Sequence, residues 1–343
     1  MNGKIYLLVL LASLFIVSCF SINQSHQKQK EYLNYPTNNI NKDLNNVFPS
    51  LVMPQCYVTY RQYNFKPSEN VTKKNIDDFI THQKKQGNIN RQNSVGSGII
   101  IASQGDKILI LSAAHIYNYP QKIYHNFNKK NYQNNISVFA QKVAQKQYIV
   151  TNNEIVTLEK LVQDKSKDIV LLMGKEVTDT ISLAEIQYKF GDSSQIEVGN
   201  YIYLFGFPTG KEIISNGIIS PLKYKGEFII NTPFNKGMSG GAVFGLKENT
   251  PQVTLELLGI ANSAAAKYSY LLTPEEEART KDYNRNLPYR GNIFIKRKSD
   301  LKYGITYVTG INSIKNFLID NRKIIEQEGF NLNHLIGAEI EDK

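Results

Sequence analysis

The sequence predicts an all-β fold closed by a C-terminal helix, and three observations carry that reading. Short runs rich in β-branched and aromatic residues follow one another between residues 98 and 260, each bounded by Gly, Asn, Asp, Pro or Ser. No helical periodicity alternates with them, which argues an antiparallel sandwich or barrel over a βαβ fold. Near the end, Ile314, Phe317 and Leu318 lie at i, i+3 and i+4, and Ile324 and Ile325 continue one face, so a helix begins near Asn312.

The chain has 343 residues and opens with Lys4 ahead of an almost purely apolar run from residue 5 to 17, then Ser18 and Cys19. A spanning helix needs about 20 apolar residues, so this shorter run reads as a signal peptide over residues 1–19. Ile16-Val17-Ser18-Cys19 resembles a bacterial lipobox, in which small residues precede a cysteine that is lipidated and becomes the mature N-terminus. An ordinary secretory signal with an incidental cysteine is the alternative. Cys19 and Cys56 are the two cysteines of the chain, so lipidation of Cys19 leaves Cys56 without a disulfide partner and stability must come from the core. Residues 20–50 are rich in Asn, Gln and Lys and lack a sustained apolar period, which predicts a flexible tether.

The folded domain is expected over residues 51–330. Ile76, Phe79 and Ile80 fall at helical spacing and predict a short amphipathic helix within 71–86. The β-rich runs then cover 98–102, 107–112, 136–139, 148–151, 169–173, 201–205, 228–231, 242–244 and 255–260. Beyond the terminal helix, residues 331–343 read as a tail, too short for a further module.

Hydrophobic residues make up 41% and charged residues 20%, enough apolar material for a core. The formal charge of +10 comes from 40 Lys+Arg against 30 Asp+Glu. The lysines are scattered, and neither a basic stretch interleaved with aromatics nor zinc-ligand spacing accompanies them. Nucleic acid is therefore not expected as a partner; a solvated basic surface with some attraction to anionic lipid or cell-wall polymer is.

Three segments carry chemistry. Residues 109–115 run an apolar strand into Ser112-Ala113-Ala114-His115, where a histidine taken alone is more often structural than catalytic. Residues 167–172 place Asp168 at the mouth of a continuous apolar strand, where a carboxylate can orient an imidazole; a surface acid capping the strand is the other reading, and Asp164 competes for the role. In Gly237-Met238-Ser239-Gly240-Gly241 the glycines permit a tight turn on which the N–H groups of Gly237 and Ser239 converge, and Gly237, Met238 and Ser239 are together expected to form an oxyanion hole. A phosphate-binding turn is disfavoured because no helical pattern follows the glycines.

Together these segments resemble the histidine, aspartate and serine motifs of the trypsin-like superfamily, in the order His, Asp, Ser that separates it from subtilisins and α/β-hydrolases. Gly96-Ser97-Gly98-Ile99-Ile100, Gly206-Phe207-Pro208-Thr209-Gly210, Ser215-Asn216-Gly217 and Leu258-Gly259-Ile260 extend the likeness toward the bacterial HtrA/Deg branch, over about Val95 to Leu318. The sequence departs from that branch in its region before Val95, in an insertion over 264–301 and in the absence of a PDZ domain. The resemblance implies two antiparallel six-stranded β-barrels of the chymotrypsin type. It also implies an extracytoplasmic serine endopeptidase with Ser239 as nucleophile, His115 as general base and acid, and Asp168 orienting the imidazole. The partners implied are a protein or peptide substrate and, through a lipid anchor, a bacterial envelope membrane; no metal or cofactor is needed, and oligomeric state stays open. Pro233, Phe234, Ile260, Ala261 and Asn262 are expected to wall the substrate pocket. Pro233 carries no charge, so small to medium apolar substrate side chains are expected there. Met238 stands where activated trypsin-type enzymes keep an aspartate to pair with a new N-terminus. Zymogen cleavage is therefore not expected, and chains trimmed anywhere before Val95 should keep their activity. The alternative is a surface lipoprotein on the same fold that binds a peptide or host ligand with little or no catalysis.

Overall fold

The structure, a computed structural model, describes residues 32–33, 40–127, 133–151, 154–177, 183–224, 226–249, 252–274, 286 and 293–336. The expected signal peptide with Cys19 lies outside them, as does most of the expected tether.

The first half contains nine strands: β1 (Leu51–Val52), β2 (Gln55–Asn64), β3 (Asn88–Val95), β4 (Gly98–Gln104), β5 (Lys107–Ala113), β6 (Lys122–Asn126), β7 (Ile136–Thr151), β8 (Glu154–Asp164) and β9 (Ile169–Gly174). They form one curled antiparallel sheet in the order β1-β4-β5-β9-β8-β7-β2-β3, with β6 paired on β7. The second half contains β10 (Tyr201–Gly206), β11 (Ile213–Tyr224), β12 (Glu227–Ile230), β13 (Gly241–Asn249), β14 (Gln252–Pro274) and β15 (Ile293–Gly310). These close a six-stranded barrel in the order β10-β11-β12-β15-β14-β13. The second half is thus the expected barrel. The first departs from a six-stranded count because its sheet also carries the two-residue β1, the largely exposed β3 and β6 paired on β7.

The continuous apolar runs are explained by burial on both faces. Ile99, Ile101, Leu109, Leu111, Ile169 and Leu171 point into a core shared by the two halves. Their neighbours Ile100, Ile110, Val170 and Leu172 point the other way, into the interior of the first half. Strand β10 divides likewise, with Tyr203 and Phe205 in the shared core and Ile202 and Leu204 inside the barrel. Alternation of side chains across a pleated strand makes each such run serve two cores at once.

Of the helices, α1 (Asn41–Val47) precedes the first strand and α2 (Ile76–Thr81) falls within the predicted 71–86 segment. At the C-terminus α3 (Ile311–Asp320) buries Ile311, Ile314, Phe317 and Leu318 in the shared core. The single helix expected there breaks at Asn321 (φ −107°, ψ 13°), and α4 (Arg322–Gln327) follows. The break turns Ile325 inward and leaves Ile324 exposed. Residues 331–336, expected as part of a tail, carry α5 (Asn333–Ile336) and bury Leu332 and Leu335.

A further expectation is corrected. The described parts of the 20–50 tether are docked rather than free. Tyr32 pairs as a β-bridge with Lys247, its hydroxyl donates to Glu256 at 2.9 Å, and that hydroxyl accepts from the Asp192 N–H at 3.0 Å. Leu33 is hydrogen-bonded to Leu246 and Tyr201, and Ile40 and Val47 are buried. A few apolar residues scattered in polar sequence suffice because the receiving surface is preformed. The described parts of the 264–301 insertion continue two barrel strands: β14 and β15 stay paired from Ala266↔Leu301 out to Pro274↔Ile293 as an antiparallel ribbon.

Candidate active site

Strands β5 and β9 are register neighbours, with Ser112 opposite Val170 and Ala113 opposite Ile169. The residues just past the end of one and just before the start of the other therefore meet. His115 lies in the 3-10 turn Ala114–Tyr117, and Asp168 immediately precedes β9. Asp168 adopts φ +56°, a left-handed conformation that costs a residue with a side chain about 1–2 kcal/mol. It is held there by its carbonyl, which accepts from the Ala114 N–H at 3.2 Å, and by its carboxylate. One oxygen accepts from the His115 backbone N–H at 2.8 Å and the other faces His115 Nδ1 at 2.7 Å.

A carboxylate can only accept, so Nδ1 carries the proton and Nε2 is left as the acceptor. Nε2 lies 2.9 Å from Ser239 Oγ. The imidazole thus spans the seam, with its acid on the first half and the serine on the second. Behind Asp168, Asn262 Nδ2 donates to Thr309 Oγ1 at 3.0 Å and that hydroxyl donates to the Lys167 carbonyl at 3.0 Å. Asp164 does different work. Its Oδ1 accepts from the Ser166 N–H and hydroxyl and from the Lys167 N–H, shaping the turn that delivers Asp168. Burial pushes the Asp164 carboxyl up, but these hydrogen bonds outweigh it and hold the group below the usual aspartate value.

Ser239 sits at the end of a turn that needs glycine on both sides. Gly237 has φ +99° and a side chain there would collide with the Phe207 carbonyl; Gly240 has φ +81° and would collide with the Ser97 carbonyl. The expected contribution of Met238 is corrected: its N–H is committed to the Asn235 carbonyl at 3.0 Å and its side chain fills the barrel interior. The described residues offer no acceptor to the N–H groups of Gly237 and Ser239.

The expected pocket wall is only partly assembled. Pro233 is exposed, and Phe234 and Ala261 are buried in the barrel interior with Met238 and Val308. Ile260 points the opposite way, into the core between the halves, because it alternates with Ala261 along β14. Asn262 is engaged with Thr309 and with the Ser263 hydroxyl, so it braces the acid side of the site. Sequence reasoning missed Thr309 and treated Ser97 only as a flanking residue. Ser97 is a buried polar residue between two glycines, and that was the available signal.

A histidine held between a carboxylate and a serine hydroxyl is the geometry by which a Ser-His-Asp constellation is recognised, and here it lies at the junction of two antiparallel β halves. Residues 96–250, which contain His115, Asp168 and Ser239, match the family model of the trypsin-like peptidase domain. It is 26% identical over 273 residues to a protein named serine protease HtrA-like from Staphylococcus haemolyticus, covering 69% of this chain and 38% of that protein. A protein of the same name from Staphylococcus epidermidis is 27% identical over 169 residues, covering 44% of this chain and 24% of its own length. This chain therefore spans well under half the length of the relatives it matches. Among solved structures, the active form of the Rv3671c protease from M. tuberculosis is similar at 10% identity, covering 80% of this chain and 82% of that one with a TM-score of 0.41.

Proposed function

We propose that the protein is a serine endopeptidase. The observation that carries the reading is the spacing of His115, 2.7 Å from Asp168 on one side and 2.9 Å from Ser239 on the other. In this reading Ser239 Oγ attacks the scissile carbonyl carbon while its proton passes to His115 Nε2. The tetrahedral oxyanion is received by the N–H groups of Gly237 and Ser239. His115 then gives its proton to the leaving amine, and the acyl-enzyme is hydrolysed by water along the same path. Asp168 holds the tautomer and stabilises the imidazolium. The match of residues 96–250 to the trypsin-like peptidase model and the name of the staphylococcal relatives support the same reaction class.

The substrate is a protein or peptide, and the exposed, uncharged Pro233 favours a small to medium apolar residue before the scissile bond. The apolar leader and the Ser18-Cys19 pair support secretion across the cytoplasmic membrane and lipid attachment at Cys19. The deciding experiment is labelling of purified protein with a fluorophosphonate, with peptide turnover measured in parallel. Wild type should label once per chain. Ser239→Ala should abolish labelling and lower turnover by about 10⁶, the scale of loss when such a nucleophile is removed. Undiminished labelling of Ser239→Ala would sink the assignment, and an unlabelled, inactive wild type would leave a ligand-binding protein on the protease fold.

A further inference from the structure

The Gly237 N–H, one of the two donors proposed for the oxyanion, belongs to the peptide joining Lys236 to Gly237. A peptide unit is planar and rigid, so whatever holds the Lys236 carbonyl decides where the Gly237 N–H points. That carbonyl accepts from the Thr209 N–H at 3.0 Å. Thr209 lies in the short turn Pro208–Gly210 with φ +54°, a left-handed conformation that aims its N–H at the nucleophile loop. The turn is anchored one residue upstream, where the Phe207 N–H donates to Ser97 Oγ at 2.9 Å.

Ser97 is the point at which these loops are tied together. Its hydroxyl donates to the Gly237 carbonyl at 2.6 Å while accepting from Phe207, and its N–H donates to the Ser239 carbonyl at 2.7 Å. Its own carbonyl accepts from Ser112 Oγ at 2.7 Å. Every polar group of this residue, which is 1% exposed, is therefore used. A hydroxyl suits the position because one small atom must both donate and accept. Alanine would leave the Phe207 N–H and the Gly237 carbonyl buried without partners, and the two loops would be free to shift past each other.

We propose that Ser97 is a positioning residue for the oxyanion donor: from the first half of the fold it locks the 207–210 turn against the nucleophile loop, so that Thr209 keeps the Gly237 N–H turned toward the substrate carbonyl. This rests on the serine-protease reading above. The interaction it secures is made with the oxyanion and not with the ground-state substrate, so its loss falls on kcat and spares KM.

The test compares Ser97→Ala with wild type on a peptide substrate and with a peptide aldehyde. Ser239 Oγ adds to the aldehyde carbon, its proton passing to His115, and the resulting hemiacetal oxygen occupies the oxyanion site. Ser97→Ala should lower kcat about 10- to 100-fold, at or below the roughly 10²–10³ that loss of an oxyanion donor itself costs. Aldehyde affinity should fall by the same factor, with KM changed less than about twofold. Thr209→Pro, which deletes the N–H and, with φ locked near −65°, also abolishes the turn's left-handed conformation, should reproduce the pattern even if Ser97→Ala does not fold, and Thr209→Gly, which keeps both N–H and conformation, should not. An active Ser97→Ala with a lower Tm but unchanged kcat and aldehyde affinity overturns the proposal alone. A wild type that neither labels nor turns over overturns the protease reading and this proposal with it.

Discussion

At the scale of single residues, two acids four positions apart are separated by what surrounds them. Asp168→Asn should lower turnover by about 10⁴, because the amide presents the wrong tautomer partner to His115. Asp164→Asn should leave turnover within a few fold and instead change acid stability. The Asp164 carboxyl is held below its unfolded value, so the stability it adds is present above the usual aspartate value of about 3.9 and is lost as pH falls through the depressed folded value. Melting curves of Asp164→Asn should therefore fall below wild type near pH 6 and converge with it at strongly acidic pH; a larger turnover loss for Asp164→Asn than for Asp168→Asn would reverse the assignment. Cys56 offers a second check. Burial pushes its thiol up to about 11, so the reactive thiolate is scarce at neutral pH. In a Cys19→Ser chain, iodoacetamide should modify Cys56 slowly until the protein unfolds, and rapid modification of the native protein would contradict its buried position. The three motif residues were legible because side chains do their work and small residues frame them. Thr209 was not, since its contribution is a backbone N–H that any residue but proline supplies.

At the scale of elements, legibility followed burial. Strands β4, β5, β9 and β10 stood out because both of their faces are covered, which demands unbroken apolar sequence. Strand β3, with the sequence NINRQNSV, is largely exposed at the sheet edge and carries no apolar period to detect. Strand β7 was visible only at its ends, as 136–139 and 148–151, because the polar stretch between them lies on an exposed ribbon. The terminal helix was legible from its i, i+3, i+4 pattern, but its break at Asn321 was not, since no proline or glycine marks it. Phe317→Ala on that helix should cost about 3–5 kcal/mol, the range for emptying a buried aromatic site, and lower Tm without changing KM. The β14–β15 ribbon makes the opposite prediction. Replacing 267–300 by a two-residue turn keeps the barrel pairs from Gly259↔Gly310 to Ala264↔Thr306, so labelling by fluorophosphonate should persist; loss of folding would show the ribbon to be part of the barrel's core.

For the whole molecule, the docked N-terminal segment changes where the chain can be shortened. Removing residues 1–31 should leave Tm and labelling intact. Removing residues 1–50 takes away Tyr32, Ile40 and Val47, whose burial is worth about 5 kcal/mol together at roughly 1.5–3 kcal/mol each. Thermal melts of that shorter chain should shift down by about 10 °C or more, at roughly 2–4 °C per kcal/mol, and labelling should weaken. Equal stability of the two truncations would show the contacts of Tyr32 to be dispensable. The expectation that any cut before Val95 is harmless fails for this reason and because β2 is a strand of the first half's sheet.

The Tyr32–Glu256 hydrogen bond joins residues 224 positions apart, and the shared core draws on Ile99 at one end and Phe317 at the other. Such long-range closure makes folding slow, since the entropy of joining distant segments is lost before their contacts form. It also sets a schedule for synthesis. When Ser239 has left the ribosome the helix bearing Phe317 has not been made, and the segment around Tyr32, made earlier, still waits for Glu256. The nascent chain is thus unable to pack its shared core until the segment around Phe317 has emerged, well after Ser239 has been made.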